Sequence, residues 1–235
     1  MLSAIVVAAG SSRRMGFDKL LAPLGGKSVL WHSLHVFGQM PEVTGVIVVT
    51  REDRVEEVGA LAADAAPEKS RVIVKGGDER YLSVWAGLQA LDAHSSEFVA
   101  IHDGARPLIT GEAVRVCTRL AQRDGAACCA SPIPDTVKRA DEKGFVRESV
   151  DRSGLWAMQT PQVFSCDLIL QAYAAIIARN DMVTDEVSAV QKLGRRVALH
   201  RNEDWNFKIT YKRDLEMAEQ VLKARASGLP EGVVK

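Results

Sequence analysis

Cysteine is scarce in this 235-residue chain, and its four occurrences, Cys117, Cys128, Cys129 and Cys166, include no C-x-x-C pair. Paired-thiol chemistry has no foothold there. Cys128 and Cys129 sit in the apolar stretch 125–132, where successive strand side chains point to opposite faces, so the two thiols are expected to diverge. Buried free thiols in a reducing compartment are the expectation. Net charge is also missing: 30 basic residues balance 30 acidic ones. That balance argues against a general binder of nucleic acid or membrane surface, while leaving room for a local anion pocket. No apolar run approaches the roughly 20 residues that cross a bilayer. The N-terminus has neither a charged n-region nor a long h-region, so a cytoplasmic location is expected. The five histidines lack H-E-x-x-H spacing, and no G-x-S-x-G elbow occurs, which leaves zinc hydrolysis and covalent serine catalysis without support. Internal repeats and low-complexity tracts are absent as well.

What is present is ample core material, 47% hydrophobic residues, arranged as short apolar runs alternating with amphipathic segments. Strands are expected at 4–9, 45–50, 71–74, 98–102, 126–132 and 197–200. Helices are expected at 28–37, 55–65, 82–91, 112–123, 167–179, 186–193 and 211–226. This rhythm predicts a mostly parallel sheet covered on both faces by helices. Ligands on such sheets bind outside the carboxyl ends of the strands. The rhythm breaks at 136–150, which is polar and alternating around the turn signal Asp141 to Gly144 and reads as a two-stranded ribbon. An isolated ribbon is marginal alone, so it is read as an arm on a second subunit, with a mobile surface hairpin as the alternative.

Three of these strand ends carry candidate chemistry. The first apolar run empties into AAGSSRRMG (residues 8–16), followed by Lys19. A strand ending in small residues lets a ligand approach the backbone, whose N–H groups hold phosphate oxygens, and Arg13, Arg14 and Lys19 add fixed positive charge. The loop is neither G-x-x-x-x-G-K-[ST] nor G-x-G-x-x-G. An ordinary turn with solvated basic residues is the alternative. The second, GGDER (residues 76–80) with Ser83, offers glycines for close backbone approach or positive φ. The third is HDGARP (residues 102–107). Asp103 stands where a carboxylate could meet a Mg²⁺ ion or a ligand hydroxyl, or could cap the turn and pair with Arg106. Further segments are DTVK (135–138), VDR (150–152) with Leu155 and Trp156, TPQ (160–162), TDE (184–186) and FKIT (207–210). TDE also reads as a helix N-cap, and Lys208 as a solvated lysine.

Together, in this order and over about residues 4–219, these segments resemble the 2-C-methyl-D-erythritol 4-phosphate cytidylyltransferases of non-mevalonate isoprenoid synthesis. The resemblance implies a single Rossmann-like α/β domain over 1–226 with a protruding β-arm at about 135–152, and a tail at 227–235. It implies joining of a sugar-alcohol phosphate to CTP with Mg²⁺, releasing pyrophosphate. Arg14 and Lys19 would stabilise charge on the reacting phosphates, and Arg152 and Lys208 would position the alcohol phosphate. Ala8, Ala9, Gly10, Gly77, Asp78 and Ser83 would line the cytidine pocket, with Arg80 and Ala105 completing the substrate-binding set. Asp103 would lie by the ribose and the metal. Arg106, Thr136, Thr160 and Thr184 would approach the second substrate. In this family the arm embraces the other subunit of a homodimer, so Thr136 and Arg152 would serve the partner's site. The chain departs from the family at Asp18-Lys19-Leu20, where Pro-Lys-Gln is usual, and at Gly10-Ser11-Ser12, where Gly-x-Gly is usual. A ribitol-5-phosphate cytidylyltransferase and a catalytically silent nucleotide-binding dimerisation module are the competing readings.

Overall fold

Apolar strand runs with no polar face must be covered on both sides, and the computed structural model does this with two helical layers. It describes residues 1–10, 16–70, 72–92 and 96–228. Arg13 and Arg14, Arg71 and the tail from 229 onward lie outside the described residues. The elements run β1 (Leu2–Val7), β2 (Pro23–Leu24), β3 (Lys27–Ser28), α1 (Val29–Gln39), β4 (Val43–Thr50), α2 (Val55–Ala65), β5 (Val72–Lys75), α3 (Arg80–Gln89) and β6 (Phe98–Asp103). The second half continues α4 (Gly111–Asp124), β7 (Ala126–Pro132), β8 (Val137–Ala140), β9 (Val146–Val150), β10 (Trp156–Ser165), α5 (Cys166–Ala178), α6 (Glu186–Lys192), β11 (Ala198–Arg201) and α7 (Lys212–Ala226).

Seven strands form one sheet in the order β11-β7-β10-β6-β1-β4-β5. β1 pairs parallel with both β4 and β6, β4 with β5, and β7 with β11. Alternation along β1 sends Ala4 and Val6 to one core and Ile5 to the other. The first core packs α1, α2 and α4 against the sheet, and the second packs α3, α5 and α6. Cys128 joins one core and Cys129 the other, and all four cysteines are free and buried. A third cluster seats α7 through Ala218 and Val221 on Leu24, Leu108 and Ile209. Among the described residues, no helix is long and apolar enough to cross a membrane.

One strand of the seven-stranded sheet lay hidden in the sequence, as did the short pair β2–β3. Residues 159–164 read as the end of the ribbon, yet they belong to β10, which runs antiparallel between β6 and β7. The chain leaves the top of β7, makes the separate β8–β9 ribbon, and must come back down through the sheet. Its last five residues before Ser165, Thr160 to Phe164, are all buried, which is why the segment is apolar enough to be central. The ribbon itself is as expected, with Val137 opposite Val150 and its side chains largely exposed.

Helix α3 lies close on the sheet because Gly87 faces it. A Cβ there would stand 2.8 Å from Ile5 Cγ2 and 2.9 Å from Val49 Cγ2, both on buried, β-branched side chains. Gly87→Ala is expected to destabilise the fold by about 1–3 kcal/mol. Gly59, inside α2, has only Ile73 Cγ1 at 3.7 Å, and Gly59→Ala is expected to stabilise by about 0.5–1 kcal/mol. Urea denaturation of the two variants beside the parent protein measures both.

Candidate active site

The carboxyl ends of β1, β5 and β6 open into one cleft of about 690 Å³. Its walls carry the cations Lys19, Arg51, Lys75, Arg80 and Lys208, with the acids Glu52, Asp78, Glu79 and Asp103 among them. Gly10, Gly77, Ser83, Ala105 and Thr210 fill the gaps. The three strand-end segments singled out in the sequence therefore share a site.

The small residues of the first loop divide by strand alternation. Val7, Ala9 and Gly10 line the cleft, whereas Ala8 is buried in the core beneath it and does not. The N–H of Ala8 is spent on Val49 O at 2.7 Å, so Ala8, expected at the cleft wall, lies beneath it instead. Gly10 has open space where a Cβ would go. Gly76 and Gly77 serve close approach: a Cβ on Gly76 would meet Ala9 Cβ at 2.6 Å, and one on Gly77 would meet Leu82 Cβ at 2.5 Å. Neither has positive φ. Ser83 braces the turn, donating to Gly77 O and Glu79 O, each at 3.2 Å.

Lys19 reaches across the cleft mouth, its ammonium donating to Ile209 O at 2.7 Å. The departure at Asp18 has a local explanation. Asp18 Oδ1 accepts the Leu20 N–H at 3.1 Å, and its other oxygen lies 3.8 Å from Arg51 and 3.7 Å from Arg54. An Asx-type bond and two cations fix the turn where the family has a proline.

Asp103 is the hub. Its Oδ1 accepts Arg80 Nε at 3.1 Å, its Oδ2 accepts Lys208 Nζ at 2.8 Å, and Arg106 Nε stands 3.7 Å from Oδ2. Burial pushes this carboxyl up, but Arg80, Lys208 and Arg106 outweigh it and hold the group well below the carboxylate range. Both readings offered for Asp103 meet here: the pairing with Arg106 exists, and the cleft-facing carboxylate exists too. Lys208 is thus not a solvated lysine. Its segment is fixed by Ile209 N–H on Ala105 O at 2.8 Å.

Two residues expected at the second substrate face inward. Arg106 donates to Asn206 O at 2.7 Å and does not line the cleft. Thr160 is buried; its hydroxyl accepts the Asp103 N–H at 3.0 Å and lies 3.0 Å from His102 Nδ1. Each touches the hub from below. Thr184 is exposed, and Asp185 rather than Thr184 caps α6, accepting Ser188 N–H at 3.0 Å. Thr136 and Arg152 are exposed on the ribbon, with Arg152 donating to Pro134 O, and neither lines this chain's own cleft.

The sequence reading missed Glu186 and Tyr173. Arg80 sits at the first position of α3, where the helix dipole disfavours a cation. Glu186 compensates from α6, taking Nη1 at 2.6 Å and Nη2 at 3.0 Å, while the Tyr173 hydroxyl donates to Glu186 Oε1 at 3.0 Å. The signal was legible in one respect: Glu186 is an acid in a segment whose neighbours Val187, Ala189 and Val190 are core residues.

A resident metal does not fit this arrangement. Among the described residues no group of three or more His, Cys, Asp or Glu could hold one. Asp103 has both oxygens engaged by cations, and a metal on it would face the Lys208 ammonium.

The family model for IspD, 2-C-methyl-D-erythritol 4-phosphate cytidylyltransferase, matches residues 2–224. The chain belongs to this family. A curated family member from Halalkalibacterium halodurans is 40% identical over 222 residues, covering 94% of this chain and 96% of that protein. One from Caldanaerobacter subterraneus is 38% identical, covering 94% and 99%. Among solved structures, the 4-diphosphocytidyl-2C-methyl-D-erythritol synthase of Anaerococcus prevotii superposes with a TM-score of 0.82 at 31% identity, covering 95% of this chain and 98% of that one. The Thermus thermophilus cytidylyltransferase gives 0.78 at 29%, covering 93% and 98%.

His102, fully buried beneath the hub, has its imidazole pushed down to about 4 by burial. Between that value and the unfolded one near 6.5 the unfolded chain binds a proton that the folded chain refuses, so stability rises with pH across this window. The expected gain is about 3 kcal/mol from pH 4 to 6.5. His102→Gln is expected to flatten that slope, whatever its effect at neutral pH. Denaturation midpoints at several pH values supply the comparison.

Proposed function

We propose that this cleft transfers the cytidylyl group of CTP to 2-C-methyl-D-erythritol 4-phosphate, giving 4-diphosphocytidyl-2-C-methyl-D-erythritol and pyrophosphate for isoprenoid precursor synthesis. The observation that carries this reading is the meeting of Lys19, Lys208 and the Asp103–Arg80 pair around one strand-end cleft in a chain of this family.

The acceptor's phosphate oxygen attacks the α-phosphorus, a new P–O bond forms, and the bond to the leaving pyrophosphate breaks with its electron pair. A phosphate monoester is already an anion near neutral pH, so the nucleophile needs no base. The tasks left to the protein are alignment and stabilisation of negative charge. Arg14 and Lys19 take the charge on the α-phosphate and the leaving group. Lys208, held by Asp103, receives the acceptor phosphate. Ala9, Gly10, Gly77, Asp78 and Ser83 frame the cytidine, and Ala105 the sugar. Loss of one such donor costs about 10²–10³ in rate. Mg²⁺ enters as part of the substrate, bound to the triphosphate oxygens of CTP.

The second arginine comes from the ribbon. Phe145 and Val146 at the ribbon are exposed at 70% and 66%, an apolar tip that a second copy of the chain would cover. Arg152 and Thr136 then serve the neighbour's cleft in a homodimer. Thr184, exposed just before α6, would approach the acceptor. A cytoplasmic location accords with the four free thiols.

Purified protein given CTP, Mg²⁺ and 2-C-methyl-D-erythritol 4-phosphate is expected to release pyrophosphate. Release with ribitol 5-phosphate alone would instead make it a ribitol-phosphate enzyme, and release with neither would make it a silent nucleotide-binding module. Shared sites have their own test. Lys208→Ala and Arg152→Ala subunits, each inactive alone, are expected to regain activity when mixed, because one hybrid site is intact. No recovery despite proven subunit exchange sinks the shared site.

A further inference from the structure

Glu186 is fully buried, and nothing in the reaction outlined above uses it. A buried carboxylate persists only when its charge and lone pairs are matched. Here the match is complete: the two Nη groups of Arg80 grip both oxygens, and the Tyr173 hydroxyl adds a third bond. The grip on Arg80 leaves its Nε pointing the other way, onto Asp103 Oδ1 at 3.1 Å. Asp103 Oδ2 is then left to Lys208 at 2.8 Å. The chain of contacts runs from the core at Tyr173 to the cleft at Lys208.

We propose that Glu186 is a positioning residue for cytidylyl transfer: by fixing the Arg80 fork it reserves one Asp103 oxygen for Lys208 and so sets where that ammonium meets the acceptor phosphate. The alternative states of Arg80 explain why the restraint matters. A guanidinium released from Glu186 has donors enough to take both oxygens of Asp103 side by side, the preferred fork geometry. Lys208 would lose its anchor. The same guanidinium could also swing into the cleft, which it lines, and bind the triphosphate. Either movement disturbs the acceptor end of the site and leaves or strengthens the nucleotide end. A purely structural Glu186 would lower the amount of folded enzyme without discriminating between substrates.

The inference rests on the proposed reaction, and the parent protein serves as its control: no pyrophosphate from the parent defeats that reading, whereas a working parent matched by its variants defeats only this inference. In Glu186→Gln, KM for the alcohol phosphate is expected to rise about tenfold and kcat to fall about tenfold, the scale of a small misplacement. KM for CTP is expected to stay within about twofold or to fall. The double variant Arg80→Gln with Glu186→Gln replaces the ion pair by two amides. It is expected to recover thermal stability and, with the competing guanidinium gone, part of the acceptor KM. Should Glu186→Gln fail to fold, Tyr173→Phe removes a single bond from Glu186 and is expected to raise the same KM about twofold to threefold, less than the loss of the ion pair. Unchanged acceptor KM in every folded variant overturns the proposal. So does a double variant whose acceptor KM stays as high as that of Glu186→Gln although its stability recovers, or a loss confined to the active fraction.

Discussion

At the end of β6 one carboxylate is shared by three cations, and the positions of those cations follow from it. Asp103 sits where the dielectric is low, so an unpaired charge there would be untenable and a paired one is held firmly. Arg80 arrives from the start of α3, Arg106 from the turn after β6, and Lys208 from the segment before α7. Each of these segments is fixed by other means as well, so the carboxylate joins parts of the chain far apart in sequence. The cleft inherits an ordered set of positive groups that would otherwise repel one another. That is a suitable ground state for binding polyanions, because phosphate oxygens can enter beside Asp103 and take up the same donors with little rearrangement.

Beneath the hub, Arg106 brings a charge that Asp103 already balances, and its neighbours there are neutral. His102 and Thr160 contact the same strand end without adding charge, the imidazole being held neutral by burial down to about pH 4. A further charge there would compete with Lys208, Arg80 and Arg106 for Asp103. The neutral hydroxyl of Thr160 instead satisfies the Asp103 N–H, leaving the carboxylate to the cations alone.

Sequence legibility followed the range of the interactions. Strands and helices driven by local pattern were readable, and the segment 126–132 matches β7 at both ends. The segment 55–65 matches α2 likewise. β10 escaped because its apolar half begins amid the polar ribbon sequence, and its place between β6 and β7 is a matter of topology, not pattern. At the site, the strand-end loops were found because ligand binding at carboxyl ends is a general property of such sheets. Ala8 was misplaced by one step of strand alternation. Arg106 and Thr160, expected to approach the second substrate, lie on the inner side of the hub, since spacing does not say which way a side chain faces. Glu186 was seen only as part of a cap because its partner, Arg80, lies more than a hundred positions away and no local signal joins them.

The cleft and the ribbon divide the charge between them. Within one chain the cleft holds Lys19, Arg51, Lys75, Arg80 and Lys208, with Glu52, Asp78, Glu79 and Asp103 balancing most of that charge. Further arginines packed permanently into the same space would compete with the resident cations for those acids and would cost stability in proportion to their burial. Arg152 stands on an exposed ribbon, where solvation makes its charge inexpensive. In the proposed homodimer such a group would reach the cleft only on association, which would separate the folding of one chain from the completion of the site. The arrangement explains why the chain can bury a hub as charged as Asp103 with Arg80 and Lys208 while leaving another cation outside its own core.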